Sequence, residues 1–143
     1  MSLMTASSEV SRWRGYEYFK AKRVSNVQKI GEARYSALVS GSENTPYSVT
    51  IDLDHVRQSS CTCPHAAGRR IICKHMIALD LGIFPEKEQQ ILDYIEEQNQ
   101  LYEQEYEQEI QEREEEIVEY VMKLSKAELR QMLIQRMIDD LYY

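Results

Sequence analysis

The strictest alternation of apolar and polar positions lies in Tyr47-Ser48-Val49-Thr50-Ile51-Asp52-Leu53. A period of two marks a half-buried antiparallel strand with one wet face. Two β-rich runs precede it. Val24 to Ile30 ends at Gly31, and in Tyr35 to Val39 the residues Tyr35, Ala37 and Val39 share a face. The turn residues Gly41 to Pro46 join the second run to the third. Asp54-His55 then turns the chain, and Val56 to Cys63 is expected to return as a fourth strand. Short connections of this kind favour a meander. Upstream, Trp13, Tyr16 and Phe19 fall three apart. They predict a short helix from about Gly15 to Lys22 that lays one aromatic face on the sheet.

The pattern changes period after Cys73. Met76, Ile77, Leu79 and Ile83 give an apolar helix face over Lys74 to Phe84, which Pro85 ends. Residues 86–124 contain no breaker. Ile91, Ile95, Tyr102, Tyr106, Ile110, Ile117, Val121 and Leu124 recur at steps of three, four or seven, with Gln98 and Arg113 filling the register. This helix reads first as a solvated one held by its ends. The second reading is an interrupted coiled-coil stripe that dimerises or docks on a partner. Ser125 and Glu128 form a capping box, so a further helix starts near Lys126. Its Leu129, Leu133, Met137 and Leu141 are expected to close a hairpin against Ile110–Leu124.

Composition divides the chain at the same place. The 143 residues carry a net charge of −7. Residues 1–85 hold eleven Lys/Arg against seven Asp/Glu, net +4, whereas residues 86–143 hold six against seventeen, net −11. Every Gly, Pro, Cys and His lies in the first part. The expected organisation is a flexible N-terminus (1–11), a compact module (12–85) and an acidic helical extension (86–143). Met1-Ser2-Leu3 precede a second methionine and read as a cloning remainder outside the fold. The composition excludes a collagen, a membrane protein and a fully disordered chain. No apolar run approaches the ~20 residues of a membrane span, and no signal-peptide pattern opens the chain. The expected location is the cytoplasm.

Three cysteines within thirteen residues change the picture from a bare fold to a site. Cys61 and Cys63, then Cys73 and His75, give C-x-C, nine residues, C-x-H. Residues i and i+2 on a strand point the same way, so Cys61 and Cys63 can share an ion at a strand end, where Pro64 stops the ladder. Cys73 falls at a helix N-terminus, where the dipole favours a thiolate. His75 lies in the first turn. Three thiolates and one imidazole close a tetrahedron around zinc, and a closed site is structural. His65, two residues after Cys63, is a rival fourth ligand, but choosing it leaves His75 at the helix start unexplained. His55 reads as a turn residue.

These blocks resemble the SWIM zinc finger family, whose signature is C-x-C-x(n)-C-x-H. Ser60-Cys61-Thr62-Cys63-Pro64 and Cys73-Lys74-His75-Met76-Ile77-Ala78-Leu79 are similar to its two motif blocks, and Arg14 to Phe19, Val24 and Gly41 to Val49 are similar to the lead-in of bacterial members. A looser echo lies in Leu124 to Leu129. The gap between ligand pairs, with Ala66-Ala67-Gly68-Arg69-Arg70, is longer than in the tightest members. The resemblance implies a small ββα-like zinc fold with one structural ion, in proteins proposed to contact DNA or other proteins, among them helicase-like ATPases.

The expected fold class is therefore α+β: a small antiparallel meander, a flanking helix, a zinc-bound strand-to-helix element and an acidic helical extension. The first functional reading is a protein-interaction adaptor, with a helicase-like ATPase as one class of partner and a homodimer through the acidic helices as another. The alternative is a nucleic-acid-binding module. Its candidate residues are Arg69, Arg70 and Lys74 near the ligands and Arg12, Arg14, Lys22 and Arg23 upstream. A net of +4 is weak for that role. No nucleophile–base set stands outside the metal ligands, so an enzyme is not expected.

Overall fold

The structure, a computed structural model, describes residues 1–143. It divides into two compact units, Met1–Glu96 and Glu97–Tyr143. The first opens with two helices, α1 (Leu3–Ala6) and α2 (Glu9–Lys20). Four strands follow: β1 (Val24–Lys29), β2 (Arg34–Val39), β3 (Tyr47–Asp52) and β4 (Ser60–Cys61). Then come α3 (Lys74–Ile83) and the start of α4 (Glu88–Met122). The sheet order β1-β2-β3-β4 is an antiparallel meander, as the short connections require. Ala37 pairs with Val49 and Tyr35 with Ile51, which gathers the apolar partners of β2 and β3 on one face.

Helix α3 lies in the middle of the unit. Every residue from His75 to Leu81 is buried, so it needs cover on more than one side. The sheet packs on it, and so do α1 and α2. This corrects the expected docking of the aromatic helix on the sheet. That helix packs chiefly on α3, Trp13 stays 45% exposed, and the close approach is made at Gly15. It also begins six residues earlier than the aromatic spacing suggested, because the Ser8 side chain caps it by accepting from the Ser11 N–H. At its other end Lys22, at φ +56°, closes the helix in the left-handed region. The Lys22 N–H donates to the Phe19 carbonyl and the Arg23 N–H to the Tyr18 carbonyl.

The first eleven residues, expected to be flexible, hold α1 and the start of α2. Leu3, set aside as a cloning remainder, is a fully buried core residue. Arg12 explains much of this order and is itself a correction. It is buried rather than displayed. Its Nη1 donates to the carbonyls of Met4 and Ser7, both at 2.8 Å, and its Nη2 to the Tyr94 hydroxyl at 2.7 Å. The guanidinium also lies over the Tyr94 ring, 4.1 Å from its centroid. Arg12 thus ties the N-terminal turn to the beginning of α4 and is not free for a phosphate.

The expected fourth strand is mostly a turn. Asp52 Oδ1 accepts from the N–H groups of Asp54 and His55, which bends the chain into a 3₁₀ turn at Val56–Gln58. Ser60 and Cys61 then pair with β3, and the Thr62 N–H donates to the Ser48 carbonyl. A second carboxylate has a structural role. Burial pushes the Asp80 carboxyl up, and Lys87 opposes this across 2.7 Å. At neutral pH Lys87→Ala leaves an ionised, buried, unpaired carboxylate and should cost about 2 kcal/mol of stability. The raised folded-state value means that the folded chain binds the proton more tightly. The difference between variant and parent should therefore shrink as pH falls through that value. Urea titrations of both proteins at pH 8 and pH 5 check the sign.

In the second unit, α4 continues to Met122 and α5 covers Lys126–Asp139. The capping box at Ser125 forms as expected, the Ser125 N–H donating to Glu128 Oε2 at 2.7 Å and the Glu128 N–H to Ser125 Oγ. The expected hairpin does not form. α5 makes no extended packing with α4, and Leu129, Leu133, Met137 and Leu141 are all exposed, as are Ile110 and Ile117. The capping box fixes where α5 starts but says nothing about which face it buries. No helix of the protein is long and apolar enough to cross a membrane.

Candidate metal centre

Cys61 ends β4, and Cys63 follows two residues later on the same side. The Cys63 N–H donates to Cys61 Sγ at 3.5 Å. The Cys63 carbonyl then accepts from the N–H groups of Ala66 and Ala67, so the gap between ligand pairs begins as a compact turn with Ala66 buried. Gly68, at φ +70°, supplies the one left-handed residue of that gap. Cys73 is the N-cap of α3. Its side chain makes no capping bond, and Sγ lies beside the His75 ring instead.

The four donor atoms of Cys61, Cys63, Cys73 and His75 lie within 4.8 Å of one another, and all four residues are buried. His75 Nδ1 is 3.6 Å from Cys61 Sγ and 3.8 Å from Cys73 Sγ. Bond lengths of about 2.3 Å to sulfur and 2.0 Å to nitrogen in a tetrahedron imply a separation near 3.5 Å. The donors therefore stand almost at ligand spacing. The neighbouring Cys61 thiol, with His75, draws Cys73 well below the ordinary thiol range. The same closeness of Cys73 pushes Cys61 up, and burial adds to it. Crowded buried thiols of this kind are best relieved by a cation that takes them all as thiolates. The set fits one zinc ion, held structurally.

His75 is oriented by rings. Tyr18 of α2 meets it edge-on at 5.3 Å between centroids, and Tyr47 of β3 lies 4.8 Å away on another side. Its buried Nε2 has no hydrogen-bond partner, so packing holds the ring where a carboxylate or carbonyl more often does. Tyr18 and Tyr47 carry no ligand signal in the sequence, and only the fold assigns them this part. His65 is exposed and stands outside the ligand cluster, and His55 is an exposed turn residue.

The basic residues are not brought to one place. Arg14 and Lys74 line a cavity of about 440 Å³ beside the ligands, together with Tyr18, Tyr47, His65 and Glu43. Arg23 and Lys74 each stand 4.6 Å from the Tyr18 ring centroid. Arg69 and Arg70 are exposed on the ligand gap, where Arg57, a residue with no motif signal of its own, donates to the Arg70 carbonyl. Lys22 closes α2, and Arg12 is buried.

A buried Cys₃His quartet joining a sheet edge to a helix N-terminus defines a structural zinc finger. Residues 47–79, from β3 through most of α3, match the family model of the SWIM zinc finger, so this chain carries a SWIM zinc finger. No curated protein and no solved structure matches the chain.

Proposed function

We propose that the protein is an interaction adaptor in which a zinc-braced module accompanies a helical unit that engages other protein. The observation that carries this reading is the exposed apolar content of residues 97–143. Tyr106, Ile110, Ile117, Val118 and Tyr120 of α4 are exposed, and so are all the large apolar residues of α5. Exposed apolar surface on this scale marks an interaction face. The closed metal site leaves no open coordination position, and the reading includes no catalytic step. Photo-crosslinking tests it in cells, with a benzophenone side chain placed at Tyr106, Leu133 or, as a control, the exposed Val27 of β1. Discrete protein adducts at the two helical positions support the adaptor reading. Their absence at both positions overturns it.

A second reading has its own observation. Arg23 and Lys74 stand against the Tyr18 ring beside a cavity that Arg14 also lines, a combination suited to phosphate and a stacked base. It ranks second because Glu43 and a zinc–tris(thiolate) centre, net −1, offset those cations. Arg14→Glu/Lys74→Glu and Arg69→Glu/Arg70→Glu, compared on labelled duplex and single strand across a salt series, separate the two basic groups. Binding that falls steeply with salt and collapses in one pair assigns the contact, and no binding at low salt removes this reading.

A further inference from the structure

The two helices of the second unit have opposite edges. Residues 97–122 contain ten Glu and one Arg, whereas residues 123–143 contain four Lys/Arg and three Asp/Glu. At 3.6 residues per turn, Tyr106, Ile110 and Ile117 fall on one stripe of α4, which Arg113 interrupts. Glu107 and Glu114 flank the stripe on one edge and Glu109 and Glu116 on the other. On α5, Leu129, Leu133 and Met137 form the stripe, Arg130 flanks it on one edge, Arg136 flanks it on the other, and Lys126 lies in line at its start. Arg113 and Arg136 make weak ion pairs within their own helices, 3.7 Å to Glu116 and 3.4 Å to Asp140, on exposed surface. Both stripes are solvent-exposed.

Pairing α4 with α4 would set glutamate against glutamate along both edges. Pairing α4 with α5 sets glutamate against arginine. The chain therefore contains the complement of its own acidic stripe, yet α5 does not lie along its own α4. We infer that a second copy of this chain covers the helical unit, the α5 of each copy docking on the α4 stripe of the other. The exchange is reciprocal, so a two-fold dimer satisfies both stripes at once and closes. The inference rests on the adaptor reading, in that residues 97–143 are a protein-binding surface, and it names the occupant.

The test uses the full, zinc-loaded chain in light scattering after size exclusion. The expected mass is about twice 16.9 kDa. Arg130→Glu/Arg136→Glu, with acidic edges on both helices, should weaken association about tenfold or more. Glu107→Arg/Glu109→Arg/Glu114→Arg/Glu116→Arg should do the same, because both its helices then carry basic edges. Mixing the two variants should restore the dimer, since each interface again joins opposite charges. Restoration on mixing also shows that both variants fold. A hairpin closed within one chain cannot be restored by mixing, so a monomer in every arm overturns the inference. In that event an amphipathic Leu/Lys helical peptide is titrated into the monomer. Binding to the stripe keeps the adaptor reading with a foreign cationic partner, and no binding, together with no crosslinks at Tyr106 or Leu133, removes both.

Discussion

Removing zinc should unfold the first unit. Chelation of the loaded protein is expected to abolish its cooperative thermal transition and most of its sheet signal, with recovery when zinc is returned. The reason is where the ligands sit. Cys61 and Cys63 close the sheet edge, while Cys73 and His75 begin the helix around which the unit is built. Without the ion, three buried cysteines and a buried imidazole crowd within 4.8 Å with no cation to organise them. Structural zinc in small fingers supplies on the order of 10 kcal/mol or more, which exceeds the whole stability of many domains. Cys63→Ala should act in the same direction, and far more strongly than Arg69→Ala on the exposed gap. Because the thiols must be deprotonated to bind, affinity should fall as pH is lowered. Cobalt substitution gives the readout, since thiolate-to-metal absorption should weaken in Cys63→Ala and persist in His65→Ala. An unchanged melting temperature after complete chelation would refute the structural role.

Gly15→Ala should be the most damaging conservative change outside the ligands. Helix propensity alone favours alanine by about 1 kcal/mol inside α2. The fold reverses the sign. A β-carbon at Gly15 would lie 2.5 Å from Ile77 Cβ, 2.6 Å from Ile77 Cγ2 and 2.8 Å from the Lys74 carbonyl oxygen. Two of these are backbone or backbone-adjacent atoms of α3, so no side-chain rotation relieves the contact. The helices must separate, at a net cost of about 3 kcal/mol. The shift also reaches the metal, because Lys74 stands between Cys73 and His75. A lower melting temperature together with weaker zinc retention is the expected pair of results. In an Ile77→Ala background the same change should cost less, since part of the clash has gone. An increase in stability on Gly15→Ala would mean that α2 and α3 do not cross here.

The ligand quartet, the meander and the Ser125 cap were legible because each depends on neighbours along the chain. C-x-C fits a strand end and C-x-H a helix start by local geometry alone, and Ser125 and Glu128 can only satisfy each other's helix terminus. Alternation in Tyr47–Leu53 likewise needs no knowledge of what covers it. The failures share the opposite character. Arg12 looked like surface charge, and only the arrival of Tyr94, eighty-two positions away, and of the Met4 and Ser7 carbonyls turned it into a buried tie. The aromatic helix was aimed at the sheet because its stripe is apolar. It met α3 instead, since a helix apolar on all sides must be covered twice and Gly15 is where a backbone can come close. Tyr18 and Tyr47 became the walls of His75 through the same assembly. Local periodicity states which faces are apolar. Which faces meet is decided by long-range packing, where burial, close approach and charge from distant segments are settled together.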